Sequence, residues 1–181
     1  MRRFKQVAIV MDIDIEELGE SEASFDHIYE ADELTLGDEQ SRLLEGPEVH
    51  VQAVRDGDQV RIQGSMHARV EVDCDRCLKS VEVVLNPNID VTYAPIRMIG
   101  DESAHEIADN ELDYSFFEGN LISVDDLVRE QIFLALPSRL LCTDECKGLC
   151  PECGADRNRI ENCGCQETQI DPRWSALKNL N

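Results

Sequence analysis

The 181-residue chain is poor in cations. Lys and Arg total 17 against 38 Asp and Glu, which leaves a net charge of −21 at pH 7. Neutralising nucleic-acid phosphates requires Lys and Arg, so bulk charge does not hold this chain to DNA or RNA. No DNA partner is expected, and RNA would have to be met through a local patch. No apolar run approaches the ~18 residues of a membrane helix. Behind Arg2, Arg3 and Lys5, the apolar run Val7–Met11 is closed by Asp12, too short for the core of a secretion signal. A cytoplasmic location with no membrane association is therefore expected. Catalytic signatures are missing as well: there is no G-x-x-x-x-G-K-[ST], G-x-G-x-x-G, H-E-x-x-H or G-x-S-x-G. His27, His50, His67 and His105 are scattered and share no ligand spacing with the cysteines. A non-enzymatic protein is expected.

What is present is enough for a core. Hydrophobic residues make up 42% of a 20.5 kDa chain, enough for one ordinary domain and a small appendage. Charge is uneven: net −11 over residues 1–60, zero over 61–100, −8 over 101–141 and −2 over 142–181. All cysteines fall in the two near-neutral blocks, where a surface tolerant of phosphate is most plausible.

The middle of the chain alternates like antiparallel sheet. Val49, Val51 and Ala53 alternate with His50 and Gln52, and Asp56-Gly57 signals a hairpin with positive φ at both central turn positions. Val60, Ile62, Ala68, Val70 and Val72 then share one face, with Gly64 marking a bulge or bend. Alternation resumes at Val81, Val83 and Leu85, is broken by Asn86-Pro87, and returns at Ile89, Val91 and Tyr93. Residues 100–111 are acidic and unpatterned, and Leu112–Phe117 reads as one more strand. Ser123 caps a helix over about 123–136, with Asp126 as capping-box partner and Pro137 as terminator. Asp171-Pro172 announces a short final helix with Trp174, Leu177 and Leu180 as its apolar stripe. The fold class is thus α+β: an antiparallel sheet or partly open barrel, one main helix and a Cys-rich tail of zinc-knuckle type. Three regions are expected: 1–47, of uncertain structure beyond one strand within Phe4–Ile15; a β-rich core over 48–141; and a metal-binding tail over 142–181.

The eight cysteines are Cys74-x2-Cys77, Cys142-x3-Cys146-x3-Cys150-x2-Cys153 and Cys163-x-Cys165. In a reducing compartment such a set points to metal or redox chemistry rather than disulfides. A Cys-x2-Cys turn can place two sulfurs on one ion, and four sulfurs complete the tetrahedron of structural Zn²⁺. In Cys150-Pro151-Glu152-Cys153-Gly154, Pro151 presets φ and Gly154 lets the chain turn back over sulfur. Two Zn²⁺ per chain are expected. Spacing leaves the partition open: Cys74, Cys77, Cys142 and Cys146 with Cys150, Cys153, Cys163 and Cys165 is favoured, and its rival puts Cys142, Cys146, Cys150 and Cys153 on one ion. The competing readings are an iron–sulfur cluster, metal-free buried thiols, and a redox dithiol. The last sits poorly with Cys77, which is followed by strand-like alternation rather than the helix that activates a redox cysteine.

Several segments resemble one family. Cys74-Asp75-Arg76-Cys77-Leu78 after a strand, Glu130-Gln131-Ile132-Phe133-Leu134-Ala135-Leu136-Pro137, and Cys146-Lys147-Gly148-Leu149-Cys150-Pro151-Glu152-Cys153-Gly154 are similar to elements of the YceD-like proteins. So are Cys163-Gly164-Cys165 and Asp171-Pro172-Arg173. The resemblance runs in order over roughly residues 48–181. It implies a non-enzymatic ribosome-biogenesis factor that supports accumulation or processing of large-subunit ribosomal RNA. Its partner would be that RNA, a basic ribosomal protein, or an RNA-processing enzyme. Candidate RNA contacts are Arg69, Arg76 and Lys79 near the hairpin tip and Lys147, Arg157 and Arg159 around the knuckles. The acidic blocks suit an adaptor for a basic protein. The alternative is a thiol-based redox protein or redox-regulated chaperone using the Cys-x-x-Cys pairs.

Overall fold

The structure is a computed structural model, and it describes residues 11–18, 22–30, 32–96, 114–160, 162–165 and 173. The acidic segment 100–111, His105 and the short helix expected after Asp171-Pro172 lie outside these residues, as do positions 4–10 of the expected N-terminal strand. The chain divides into two compact units. One comprises Met1–Val72 with Glu82–Ser138, the other Asp73–Val81 with Arg139–Asn181.

The first unit is built around one long strand. The elements in chain order are β1 (Asp12–Asp14), α1 (Ile15–Leu18), β2 (Glu22–Ile28), β3 (Ser41–Leu43), β4 (Glu48–Asp56) and β5 (Gln59–Asp73). There follow β6 (Ser80–Leu85), β7 (Asn88–Pro95), β8 (Tyr114–Phe117), β9 (Leu121–Ser123) and α2 (Val124–Ala135). The sheet runs β2-β4-β5-β7-β8, and β5 also pairs with β3 and β6. It is open and mostly antiparallel, while β7 and β8 pair in parallel. β1 and β9 form a separate antiparallel ribbon. No helix among the described residues is long and apolar enough to cross a membrane.

The alternation read from the sequence is the alternation that is buried. Val49, Val51, Ala53, Val60, Ile62, Ala68 and Val70 are all inside, on the face that receives Val124, Leu127, Val128 and Ile132 of α2. Ser123 caps α2, its Oγ accepting from the Asp126 N–H at 3.3 Å, and the helix stops at Ala135 ahead of Pro137. The residues before 48 supply more than one strand: β1, α1, β2 and β3 form there, and Ile13, Ile15, Leu18, Leu34 and Leu36 join the same core. Tyr29 and Asp125 meet inside it, the phenol donating to Asp125 Oδ1 at 2.9 Å. Burial and the Asp125 carboxylate together hold Tyr29 far above the usual phenol range.

Two glycines behave differently from expectation. The β4–β5 hairpin pairs Asp56 with Gln59, so its two loop residues are Gly57 and Asp58. Gly57 has φ +62° and Asp58 does not share the positive φ, so only the first central position is left-handed. That is the pattern of a type II′ turn, whose first position requires glycine, rather than the doubly positive type I′. Gly64 interrupts neither ladder: it pairs with Val51 on one side and Ile89 on the other without a register shift. It is needed for close approach, since a Cβ there would lie 2.0 Å from the His50 carbonyl oxygen and 2.8 Å from Val51 Cα.

Gly64→Ala must displace backbone in the sheet centre and is expected to cost about 3 kcal/mol or more in urea unfolding. Tyr29→Phe leaves the buried Asp125 short of its donor and should cost about 1–3 kcal/mol. A Gly64→Ala loss under 0.5 kcal/mol would contradict the close-approach account.

Candidate metal centres

In the second unit the cysteines sit on tight backbone turns. Cys74 closes β5, and its N–H donates to the Lys79 carbonyl at 2.9 Å, sealing the hairpin tip. The Leu78 N–H then returns to the Cys74 carbonyl, also at 2.9 Å. The turn after Cys150 repeats this, with the Gly154 N–H on the Cys150 carbonyl at 2.8 Å. In both turns the residue after the second cysteine is left-handed, Leu78 at φ +57° and Gly154 at +71°. Leu78 is the one non-glycine with positive φ among the described residues. Holding an L-residue there costs roughly 1–2 kcal/mol. Gly154 was readable in the sequence; the equivalent strain at Leu78 was not.

These turns gather the sulfurs into two quartets. Cys74, Cys77, Cys142 and Cys146 form one, Cys150, Cys153, Cys163 and Cys165 the other, and the sulfurs of each lie within 4.8 Å of one another. This is the partition favoured above, and the rival quartet is not assembled. Cys74 and Cys146 sulfurs are 3.8 Å apart, those of Cys77 and Cys142 3.5 Å, and those of Cys150 and Cys163 3.4 Å. A disulfide would need about 2.05 Å. Four thiolates about 2.3 Å from a central zinc would be separated by about 3.8 Å, the edge of the tetrahedron. Each quartet could therefore hold a metal ion.

The protonation pattern says the same in chemical terms. Burial opposes ionisation of Cys74, yet the N–H groups of Arg76, Cys142 and Cys77 outweigh it and bring the thiol down to about 6. Cys77 gains one N–H from Lys79, but burial and its bonds to the other three sulfurs leave it pushed up to about 12. In the second quartet the N–H groups of Cys153 and Glu152 bring Cys150 to about 6, while Cys153 and Cys163 push Cys165 up to about 12. Crowded thiols ionise in part and block each other from ionising fully. A cation at the centre removes that conflict.

The surroundings differ. Cys74, Cys77 and Cys146 are buried among Val81, Leu141 and Leu149, whereas Cys153 and Cys165 are exposed. The first quartet is also tied by polar struts that the spacing did not reveal. The Asp75 N–H donates to the Leu140 carbonyl at 2.9 Å, and the Leu140 N–H returns to Asp75 Oδ2 at 2.6 Å. Asn158 accepts from the Lys147 N–H at 2.8 Å and donates through Nδ2 to Cys146 Sγ at 3.4 Å and Asp156 Oδ1 at 2.8 Å.

The six candidate RNA-contacting cations do not form one set. Arg69 belongs to the first unit, where it is bound by Glu82, with Nε at 2.8 Å from Oε1, and by Glu45 at 3.3 Å. Arg76 braces the knuckle, Nη1 donating to the Cys146 carbonyl at 2.6 Å while its own carbonyl accepts from the Leu149 N–H at 3.1 Å. Lys79, Lys147, Arg157 and Arg159 all lie exposed in the second unit, with Arg159 only loosely paired to Asp156 at 3.7 Å.

Comparison with known proteins decides the family. A family model described as "Large ribosomal RNA subunit accumulation protein YceD" matches residues 62–181. The chain belongs to the YceD family. The match begins inside β5, somewhat later than the resemblance over 48–181, and covers all eight cysteines. An uncharacterized Mycobacterium tuberculosis protein, Rv2926c, is 25% identical over 182 residues, covering 97% of this chain and 84% of its own length. The uncharacterized Bacillus subtilis protein YlbN is 27% identical, covering 86% of each chain. An Arabidopsis thaliana protein named "Large ribosomal RNA subunit accumulation protein YCED homolog 1, chloroplastic" is 23% identical over 74% of this chain and 48% of its own. No solved structure matches the chain.

Two substitutions test this YceD-family site. Asn158→Ala removes the donor to Cys146 and should weaken metal retention about 10- to 100-fold in a competition titration with a chromophoric chelator. Leu78→Gly relieves the left-handed strain and is expected to leave stability unchanged or raise it by up to about 1 kcal/mol. A marked loss of stability in Leu78→Gly would show that the side chain, exposed as it is, holds the turn.

Proposed function

We propose that the protein is a non-enzymatic, cytoplasmic ribosome-biogenesis factor. It supports accumulation or processing of large-subunit ribosomal RNA as a zinc-stapled adaptor. Membership of the YceD family supports the ribosomal role, and the assembly of all eight cysteines into two sulfur quartets carries the rest. Zinc is the ion that four thiolates in a closed tetrahedral set suit best, and a closed set leaves no open position for catalysis. Each metal would act as a staple: the first joins the hairpin tip to the segment after α2, the second closes the local loop from Cys150 to Cys165.

The exposed cations Lys79, Lys147, Arg157 and Arg159 are the residues proposed to meet ribosomal RNA. Arg69 and Arg76 contribute less, since their guanidinium groups are already engaged. The acidic remainder of the chain keeps RNA contact local and favours basic ribosomal proteins as additional partners. The thiol-redox alternative requires a quartet that turns over with a disulfide substrate instead of retaining metal.

Ultraviolet crosslinking to large-subunit ribosomal RNA in cells is the direct test. A Lys79→Glu, Arg157→Glu double variant should lower crosslinking several-fold while keeping its circular dichroism; unchanged crosslinking would remove this patch from the proposal. Zinc release on chelation should occur in two phases, with the exposed Cys150–Cys165 quartet emptying first. Loss of the second metal should unfold the second unit, since structural zinc contributes on the order of 10–16 kcal/mol in small finger peptides. Thiolates are the ligands, so protons compete with the metal. Retention should hold at neutral pH and weaken progressively as the solution is acidified. Retention that does not weaken at all on acidification to about pH 3 would contradict thiolate ligation.

A further inference from the structure

A second feature lies in the first unit, away from the cysteines. Strand β8 ends the sheet, paired to β7 on one side and to no described strand on the other. Beside it, between β7–β8 and the start of α2, runs a groove of about 410 Å³. Its floor and walls include Tyr93, Phe116 and Leu121. Phe116 is 39% exposed and Leu121 51%, a high exposure for two large apolar side chains lining one groove. Glu118, Asp126 and Glu130 line the same groove, and no Lys, Arg or His does among the described residues. Asp126 is partly compensated by Arg129 at 2.5 Å, but Glu118 and Glu130 have no ion-pair partner among the described residues.

We infer that this groove docks an extended segment of a partner protein in which an apolar side chain is flanked by lysine or arginine. The apolar wall supplies the anchor. The carboxylates supply the complement to its flanking cations and raise the encounter rate. The edge of β8 that pairs with no described strand offers main-chain N–H and C=O groups, the usual reason an open strand accepts an added one. The negative field reaches the groove floor: burial together with Glu130 and Asp126 pushes the Tyr93 hydroxyl up to about 12. Three carboxylates repel both phosphate and anionic lipid, which excludes RNA and membrane surfaces as the occupant. This deepens the adaptor reading by naming the surface on which a basic partner would sit.

The test uses the full chain and three fluorescein-labelled peptides in fluorescence anisotropy: Lys-Val-Lys-Leu-Lys-Val-Lys, the same with Ser for Val and Leu, and the same with Glu for Lys. The first is expected to bind, to weaken steeply with salt, and to bind at least tenfold tighter than either control. Leu121→Ser and the double variant Glu118→Gln, Glu130→Gln should each reduce its affinity about tenfold or more with unchanged circular dichroism. The distant double variant Glu22→Gln, Asp26→Asn should not. Equal binding of the Ser peptide, equal affinity in the groove variants, or displacement of the peptide by a uridine 20-mer would overturn the inference. Since no ribosomal RNA or metal removal enters this assay, its failure leaves the zinc and RNA proposals standing. Their failure likewise leaves the groove untouched.

Discussion

Sulfur crowding is the constraint on which the second unit depends. Cys77 and Cys142 are separated by 65 positions in the chain and stand 3.5 Å apart. Among the described residues, Val81, Leu141 and Leu149 pack against the first quartet. Small domains commonly rely on a staple in addition to hydrophobic contact. The backbone has been shaped to the sulfurs accordingly, with N–H groups turned toward Cys74 and Cys150 and a leucine held left-handed to close the first turn. Strain of that kind persists only where the surroundings over-determine it.

The first unit is held by different physics. Its core lies on one apolar face of a mixed sheet together with α2, with Tyr29 and Asp125 hydrogen-bonded inside it. Glu118, Asp126 and Glu130 line its groove, so negative charge surrounds an apolar wall there. The second unit carries the exposed Lys79, Lys147, Arg157 and Arg159. Both surfaces suit a factor that handles RNA together with basic proteins, and neither needs a reactive centre.

Legibility followed pattern strength. Val49 to Val72 alternates cleanly because β4 and β5 bury one face completely, and Val124 to Ile132 repeats at helical spacing for the same reason. β2 was invisible because it is half-buried along its inner row and open along the other, with Ala23, Phe25 and His27 as its inward set. The parallel pairing of β8 could not be read, since a crossover leaves no local period for the reader to find. Gly64 and Gly57 were both noticed, but what each does depends on neighbours in space: the His50 carbonyl for one, the pairing of Asp56 with Gln59 for the other. The cysteine spacing announced metal chemistry. The spacing favoured the sulfur grouping without deciding it, and that Arg76 would brace Cys146 only the folded chain reveals.

X-ray absorption at the zinc edge on protein purified without chelator tests the central claim most directly. The account predicts two zinc ions per chain, each with four sulfur neighbours near 2.3 Å and no nitrogen or oxygen in the coordination sphere. Iron in place of zinc, fewer than four sulfurs per metal, or metal-free protein with disulfides among the eight cysteines would contradict it.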